Sequence, residues 1–182
     1  MKTSDLIHER SIALADCNNF FVSCERRVDN DLDSRPVVVL SSNDGCVISR
    51  SNEVKKMGVK MGDPYFKIRN MLAFNGVAIR STNMSLYQEI SAEIMSRIKL
   101  YTDAVEIYSI DESFFNMGIS NVKDPVSYCR TIRKDIWDKC RIPVSIGIAP
   151  TKTLSKLATE YAKKNDETGG VFWMDRARYM DM

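Results

Sequence analysis

Histidine is almost missing from this 182-residue chain: the single one, His8, sits in a polar, charged stretch over residues 1–10. Catalysis by an imidazole base and zinc sites built on imidazole ligands therefore start with little support. The five cysteines are odd in number and form no Cys-x-x-Cys pair, so reduced core thiols are expected rather than a disulfide framework. No apolar run approaches the roughly 18 residues of a membrane-crossing helix. Residues 1–10 carry no hydrophobic signal block, so a cytoplasmic protein without a membrane partner is expected. Internal repeats and low-complexity tracts are also missing. What remains is 44% hydrophobic and 27% charged, the composition of an ordinary globular domain. At this length about 70% of the unfolded chain's surface can be buried, so the core needs no disulfide or metal staple.

The formal charge of +2 conceals an uneven distribution. Residues 1–119 hold 14 basic and 16 acidic side chains, residues 120–164 hold 10 and 4, and residues 165–182 hold 2 and 4. A basic block in a near-neutral chain suits a polyanionic partner, although a solvated charged face would look the same in composition.

Hydrophobic patterning predicts a buried strand over 12–15 that ends at Asp16. Asn18 and Asn19 are expected to supply a turn and cap before a helix over 20–28. Strands follow over 36–40 and 46–49 with a hairpin signal at Asp44-Gly45, then short helices over 52–57 and from 64 to about 76, and a strand over 77–80. Leu86, Ile90, Ile94 and Ile98 recur every four residues and predict an amphipathic helix over 85–100. Strands over 104–110 and 113–117 meet at Asp111-Glu112. They are followed by a helix over 125–139, a strand over 143–148, a helix over 151–164 and a last strand over 171–173. Strand 12–16, helix 85–100, the strand pair, helix 125–139 and strand 143–148 form a β-α-β-β-α-β series. The expected fold is thus α+β, a ferredoxin-like split βαβ sheet, with residues 30–80 as an inserted lobe.

In such a sheet the first strand lies beside the third, so Asp16 should meet Asp111 and Glu112 at one edge. Three like charges at that range require a cation, shared protons or wide spacing. Oxygen-only ligands without histidine or thiolate suit Mg²⁺. Two such ions about 3.5–4 Å apart can clamp the attacking and leaving oxygens of a phosphoryl displacement. An isolated Asp-Glu after a strand would be no more than a solvated turn; Asp16 at the same edge raises its interest.

On the helix over 151–164, Lys152, Lys156 and Lys163 fall within roughly 40° of one another, with Leu154, Leu157, Ala158 and Tyr161 opposite. This predicts an apolar packing face and a row of ammonium groups suited to triphosphate or DNA-backbone oxygens. Pro150-Thr151-Lys152-Thr153 lacks the glycine before lysine of a P-loop, and that reading is rejected.

These features, taken in order, resemble the Y-family translesion DNA polymerases, and most of all their UmuC-like branch. The resemblance covers about residues 11–175. It rests on Ala15-Asp16-Cys17-Asn18-Asn19-Phe20-Phe21-Val22-Ser23-Cys24-Glu25, Arg35-Pro36-Val37-Val38-Val39-Leu40 and Asn43-Asp44-Gly45-Cys46-Val47-Ile48. It continues in Gly58-Val59-Lys60-Met61-Gly62-Asp63-Pro64, Tyr108-Ser109-Ile110-Asp111-Glu112 and Gly147-Ile148-Ala149-Pro150-Thr151-Lys152-Thr153-Leu154.

The resemblance implies a polymerase palm over 11–20 and 81–175 with an inserted α/β fingers subdomain over 21–80. Residues 1–10 would be an N-terminal extension, and 176–182 the start of a thumb that the chain does not continue. Asp16, Asp111 and Glu112 match the catalytic, metal-binding acids, with the Cys17 backbone carbonyl as a further ligand to two Mg²⁺ ions, or to Mn²⁺ in their place. Phe21 matches the steric gate against a 2′-hydroxyl. Ser49, Asn52, Lys55 and Lys163 match triphosphate-binding positions, although the family often has an aromatic hydroxyl where this chain has Asn52. Cys46 and Ile48 match the roof over the templating base, and Lys152 and Lys156 would face DNA phosphates. Asn18 stands where relatives often carry a second aspartate and is not counted as a ligand. The implied activity is error-prone, template-directed dNTP addition on primer-template DNA, in DNA repair and the SOS response. A UmuD-like protein and the replication clamp are implied partners of a full-length form. Most duplex contacts of the family lie beyond the palm, so DNA binding by these residues should be weak and salt-sensitive. Two other readings differ in class. A non-catalytic adaptor of a DNA-repair complex would use the same fold as an interaction module, and the intact acid set argues against it. A nucleotidyl cyclase would need a Gly-Gly-Asp-Glu-Phe-type turn, which is missing.

Overall fold

The computed structural model describes residues 11–116, 122 and 124–174, which divide into two compact units, Met1–Asn18 with Ser91–Met182 and Asn19–Ile90. The stretch 1–10 with His8, Met117 at the end of one expected strand, and the expected thumb start at 176–182 lie outside the described residues.

The first unit is built on a five-stranded sheet. Its strands are β1 (Ile12–Cys17), β5 (Val105–Ile107), β6 (Glu112–Asn116), β7 (Val144–Ala149) and β8 (Val171–Trp173), in the order β5-β6-β1-β7-β8. β1 is the central strand and runs antiparallel to both β6 and β7, while β8 adds to β7 in parallel. The first four strands in chain order therefore take the split βαβ arrangement that the sequence pattern predicts, extended by β8. Both neighbours of β1 are themselves paired and every residue of β7 is buried, which accounts for the continuous apolar runs rather than a period-two alternation. Helices α4 (Met84–Ile98), α5 (Pro125–Cys140) and α6 (Lys152–Lys164) complete this unit, with α4 beginning before its boundary.

α6 approaches β7 unusually closely. A Cβ added at Gly147 would lie 2.2 Å from the Thr159 amide nitrogen and 2.5 Å from the Ser155 carbonyl oxygen. The helix accordingly buries small residues, Ser155, Ala158, Thr159 and Ala162, while Leu157 remains 55% exposed and Tyr161 is also exposed. This corrects the expected packing face: closeness to the strand backbone selects small side chains, and Leu157 and Tyr161 are displaced to its flank. Tyr161 instead rests on Phe172, with ring centroids 4.3 Å apart. Thr159 Oγ1 lies 2.8 Å from Ser155 O and 3.2 Å from Leu14 O, which ties the helix to the central strand.

Two further expectations are modified. The strand expected over 104–110 is shortened to Val105–Ile107, because Tyr108 N and Ser109 N both donate to Glu112 O and turn the chain. In α4 the buried positions are Tyr87, Ile90, Ser91, Ile94, Met95 and Ile98, with Leu86 only half-buried, so the apolar stripe begins at the tyrosine. α5 starts as the sequence suggests, with Asp124 capping through Ser127 N and Pro125 in the first turn, and is pinned to α4 by two Arg97–Asp135 hydrogen bonds of 2.8 and 2.6 Å.

The second unit has a three-stranded sheet of β2 (Val37–Leu40), β3 (Val47–Arg50) and β4 (Ala78–Ser81), in the order β3-β2-β4. β2 pairs antiparallel with β3 and parallel with β4. α1 (Phe20–Val28), α2 (Asn52–Lys56) and α3 (Tyr65–Phe74) accompany it, around a core of Val38, Leu40, Val47, Val54, Val59, Leu72 and Val77. The hairpin turns through Asp44 at φ 54°, and Ser41 Oγ accepts from Gly45 N and Cys46 N at 3.2 Å each. Asn19 does not cap α1 through its side chain as expected. Its backbone is left-handed, at φ 47°, and its amide donates to Asn52 Oδ1 at 3.0 Å.

Gly147→Ala must push the α6 backbone off β7, because neither contacting atom belongs to a flexible side chain. A loss of about 3 kcal/mol is expected in urea unfolding; a variant within about 0.5 kcal/mol of the parent would refute the close-packing account.

Candidate active site

The last turn of chain before β6 assembles around a hydroxyl. Ser109 Oγ donates to Asp111 Oδ1 at 2.7 Å and accepts from Glu112 N at 3.0 Å and Asp111 N at 3.3 Å. Such a serine-anchored turn fixes the direction in which two adjacent carboxylates leave the backbone. The turn is joined to β1 by a hydrogen bond from Cys17 N to Asp111 O of 3.0 Å. One step along the same ladder, Asp16 stands directly opposite Glu112. Acids nearly a hundred residues apart in sequence thus become neighbours through strand register, as the split βαβ pattern requires.

Each carboxylate has its own partner. Asp16 is 8% exposed and lies 2.6 Å from Lys163 Nζ. Burial pushes the Asp16 carboxyl up to about 6, against the pull of Lys163, and the charges of Asp111 and Glu112 add to the rise. Burial also acts on Lys163 and would lower it, but Asp16 and Glu160 outweigh this and hold the ammonium above its ordinary value. Glu112 Oε2 lies 3.5 Å from Lys156 Nζ, which sits 4.0 Å from the centre of the Tyr108 ring. Asp111 is turned toward Ser109. Among the described residues no three His, Cys, Asp or Glu side chains form a closed cage. The acids adjoin, but their oxygens are directed to separate cations and donors.

The lysine row of α6 follows the expected helical spacing, but it is not a free electropositive face. Lys152 pairs with Glu106, Lys156 with Glu112 and Lys163 with Asp16. Lys152 Nζ also lies 5.2 Å from the Phe114 ring. One helix thereby neutralises acids on β5, β6 and β1 in turn. Asn18 acts structurally: its N–H donates to Pro143 O at 2.8 Å and its Oδ1 accepts from Ser145 Oγ at 3.0 Å.

The remaining candidates belong to the second unit. Phe21 is half-buried and stacks on Tyr87 at 4.6 Å between centroids and 24° between planes. Tyr87 is fully buried and donates to Glu25 Oε1 at 2.7 Å. Ser49 is buried on β3, while Cys46 and Ile48 alternate to its half-buried side. Asn52 opens α2 and Lys55 is exposed on the same helix. Sequence reasoning missed Ser109 and Tyr87. A serine two residues before an aspartate at a strand junction was the available sign for the first; nothing local pointed to the second.

This geometry has a known family. The chain belongs to the impB/mucB/samB family, whose model matches residues 15–160. It is 45% identical to Protein UmuC of Salmonella typhimurium (strain LT2) over 161 residues, covering 87% of this chain and 38% of that protein. It is 31% identical to DNA polymerase IV of Picrophilus torridus over 170 residues, covering 87% of this chain and 48% of that protein. Among solved structures, DinB from Sulfolobus solfataricus superposes with a TM-score of 0.82 at 25% identity, covering 94% of this chain and 50% of that one. The chain thus spans well under half the length of UmuC.

Replacing Lys163 with methionine removes the group that most strongly holds the Asp16 carboxyl down. Its titration midpoint, followed by the carboxyl ¹³C signal, is expected to rise above about 6. A midpoint that falls would show that burial does not dominate at this aspartate.

Proposed function

We propose that this chain carries the palm and fingers of a translesion DNA polymerase, with Asp16, Asp111 and Glu112 as the acids that hold two Mg²⁺ ions. The observation that supports this best is the register that sets Asp16 opposite Glu112 while Cys17 N binds Asp111 O. The donor set fits a hard cation. It offers three carboxylates and the Cys17 carbonyl, with no imidazole among the described residues, and suits Mg²⁺ or Mn²⁺ rather than zinc. Bound there, the ions would neutralise the acids and stabilise the oxygens that attack and leave in phosphoryl transfer.

The chain's own residues then have separate tasks. The Ser109 turn holds Asp111 and Glu112 in place. Lys163 stands in for a cation at Asp16, and its long stem lets it swing to a triphosphate oxygen once the carboxylate is otherwise neutralised. Lys152 and Lys156 are surface cations that can exchange Glu106 and Glu112 for backbone phosphates at little cost, since exposed ion pairs are weak. On this reading Ser49, Asn52 and Lys55 would contact the triphosphate, Phe21 would exclude the 2′-hydroxyl, and Cys46 and Ile48 would cover the templating base. The palm would comprise residues 11–20 and 81–175 and the fingers 21–80, close to the division between the two units after Asn18 and Ile90. The relative named DNA polymerase IV supports the reaction class. Service in the SOS response within the cytoplasm, beside a UmuD-like protein and the replication clamp, completes the reading.

Mg²⁺-dependent binding of a fluorescent dNTP and single-nucleotide primer extension test it. Asp111→Ala is expected to weaken Mg²⁺-dependent dNTP binding at least about tenfold and to lower extension by about 10³-fold. Unchanged values in that variant would remove the assignment. The Asp16 proton must leave before a cation binds, so Mg²⁺ affinity should fall about tenfold per pH unit below about 6. A flat affinity between pH 5 and 7 would place the ion elsewhere.

A further inference from the structure

Three lysines of the basic block over 120–164 pair with acids of the first unit's sheet, Lys156 and Lys163 with Glu112 and Asp16 of the candidate active site and Lys152 with Glu106. Most of the rest line α5. Arg130, Arg133, Lys134, Trp137 and Arg141 recur at the three- and four-residue spacing of one helical face. Beside this face lies a cavity of about 390 Å³, walled by Arg130, Arg133, Lys134, Trp137, Pro143 and Val144. That size falls within the range of ligand pockets. None of these residues belongs to the carboxylate–lysine cluster, and the cavity lies wholly within the first unit.

The walls are held in place. Arg133 Nε donates to Val144 O at 2.7 Å, and the guanidinium lies so close to Gly170 that a Cβ there would come within 2.5 Å of Nε. Arg141 covers the Trp137 ring at 5.2 Å, yet the indole-bearing residue is still 45% exposed. Arg130 donates to a carbonyl, Thr168 O, at 3.4 Å, and its charge is also felt by the Asp124 carboxylate. Among the described residues Asp138, beside Lys134, is the one carboxylate in an ion pair with any of these four cations. The result is a cationic rim, ion-paired at Lys134 and with Asp124 and Asp135 at longer range, around an apolar interior of tryptophan, proline and valine.

The interior decides the class of occupant. A nucleobase carries donors as well as acceptors on its edge, whereas the polar side chains of the wall, Arg130, Arg133, Lys134 and Trp137, are donors alone, and the Val144 carbonyl already accepts from Arg133 Nε. An apolar side chain needs none, and carboxylates beside it would meet the rim. We propose that this cavity is the docking site for an acidic segment of a partner protein, which inserts one bulky apolar side chain against Trp137 and sets its carboxylates on Arg130, Arg133 and Lys134. The inference goes beyond the polymerase reading and does not rest on it.

The probe is a fluorescein-labelled peptide, Asp-Glu-Asp-Phe-Leu-Asp-Glu, titrated by anisotropy with the 182-residue chain. Saturable binding is expected, weakened at least about tenfold by Trp137→Ala, by Arg130→Glu with Lys134→Ala, and by exchange of Phe-Leu for Ser-Ser in the peptide. The altered positions are exposed, and an unchanged amide ¹H–¹⁵N spectrum outside α5 reports that the fold is kept. No saturation up to about 1 mM peptide, a Kd scale at which no specific site remains, overturns the proposal. So does equal binding of the Ser-Ser peptide, or tighter Trp137-dependent binding of an eight-residue oligothymidylate, which would assign the cavity to nucleic acid.

Discussion

The pairing of β1 with β6 is the interaction on which the candidate active site depends. It places Asp16 opposite Glu112 and closes the Asp111 turn onto Cys17. Juxtaposed carboxylates repel, and the buried Asp16 pays a desolvation penalty as well. The fold tolerates this because α6 lays Lys152, Lys156 and Lys163 across the same strands, one for each neighbouring acid other than Asp111. The site is therefore a partly compensated charge cluster, in which the lysines offset the repulsion between the acids.

Close packing of α6 makes that balance possible. Gly147 removes a side chain from the strand where the helix crosses it, and Ser155, Ala158 and Thr159 remove bulk from the helix. The packing of small residues brings the lysine-bearing flank within reach of the sheet's acids. A larger residue at the contact would move the ammonium groups away from their partners, so stability and electrostatics are coupled through one glycine.

Charge is distributed by role across this unit. The lysines of α6 meet acids and are largely compensated, whereas the arginines of α5 meet carbonyls and an indole. A single basic block in the sequence thus separates into two surfaces with different chemistry. In the other unit, the Phe21 ring rests on a tyrosine whose hydroxyl is anchored by a buried glutamate, so its orientation is set by packing rather than by its own helix.

Much of this was legible in the amino-acid sequence. Apolar periodicity placed the strands and helices to within a few residues, because burial of one face is a local pattern that repeats along each element. The β-α-β-β-α-β order was enough to bring Asp16 beside Asp111 and Glu112, since strand adjacency follows from topology. The identity of those acids, and the shortage of histidine, already limited the donors to oxygen. Other properties depend on atoms far apart in the chain and arose only on folding. Which lysine meets which acid, the raised Asp16 carboxyl and the small-residue face of α6 all follow from how closely one helix approaches one strand. The engagement of Phe21 by Tyr87, and the apolar cavity under the arginines of α5, likewise need packed neighbours that no local pattern encodes.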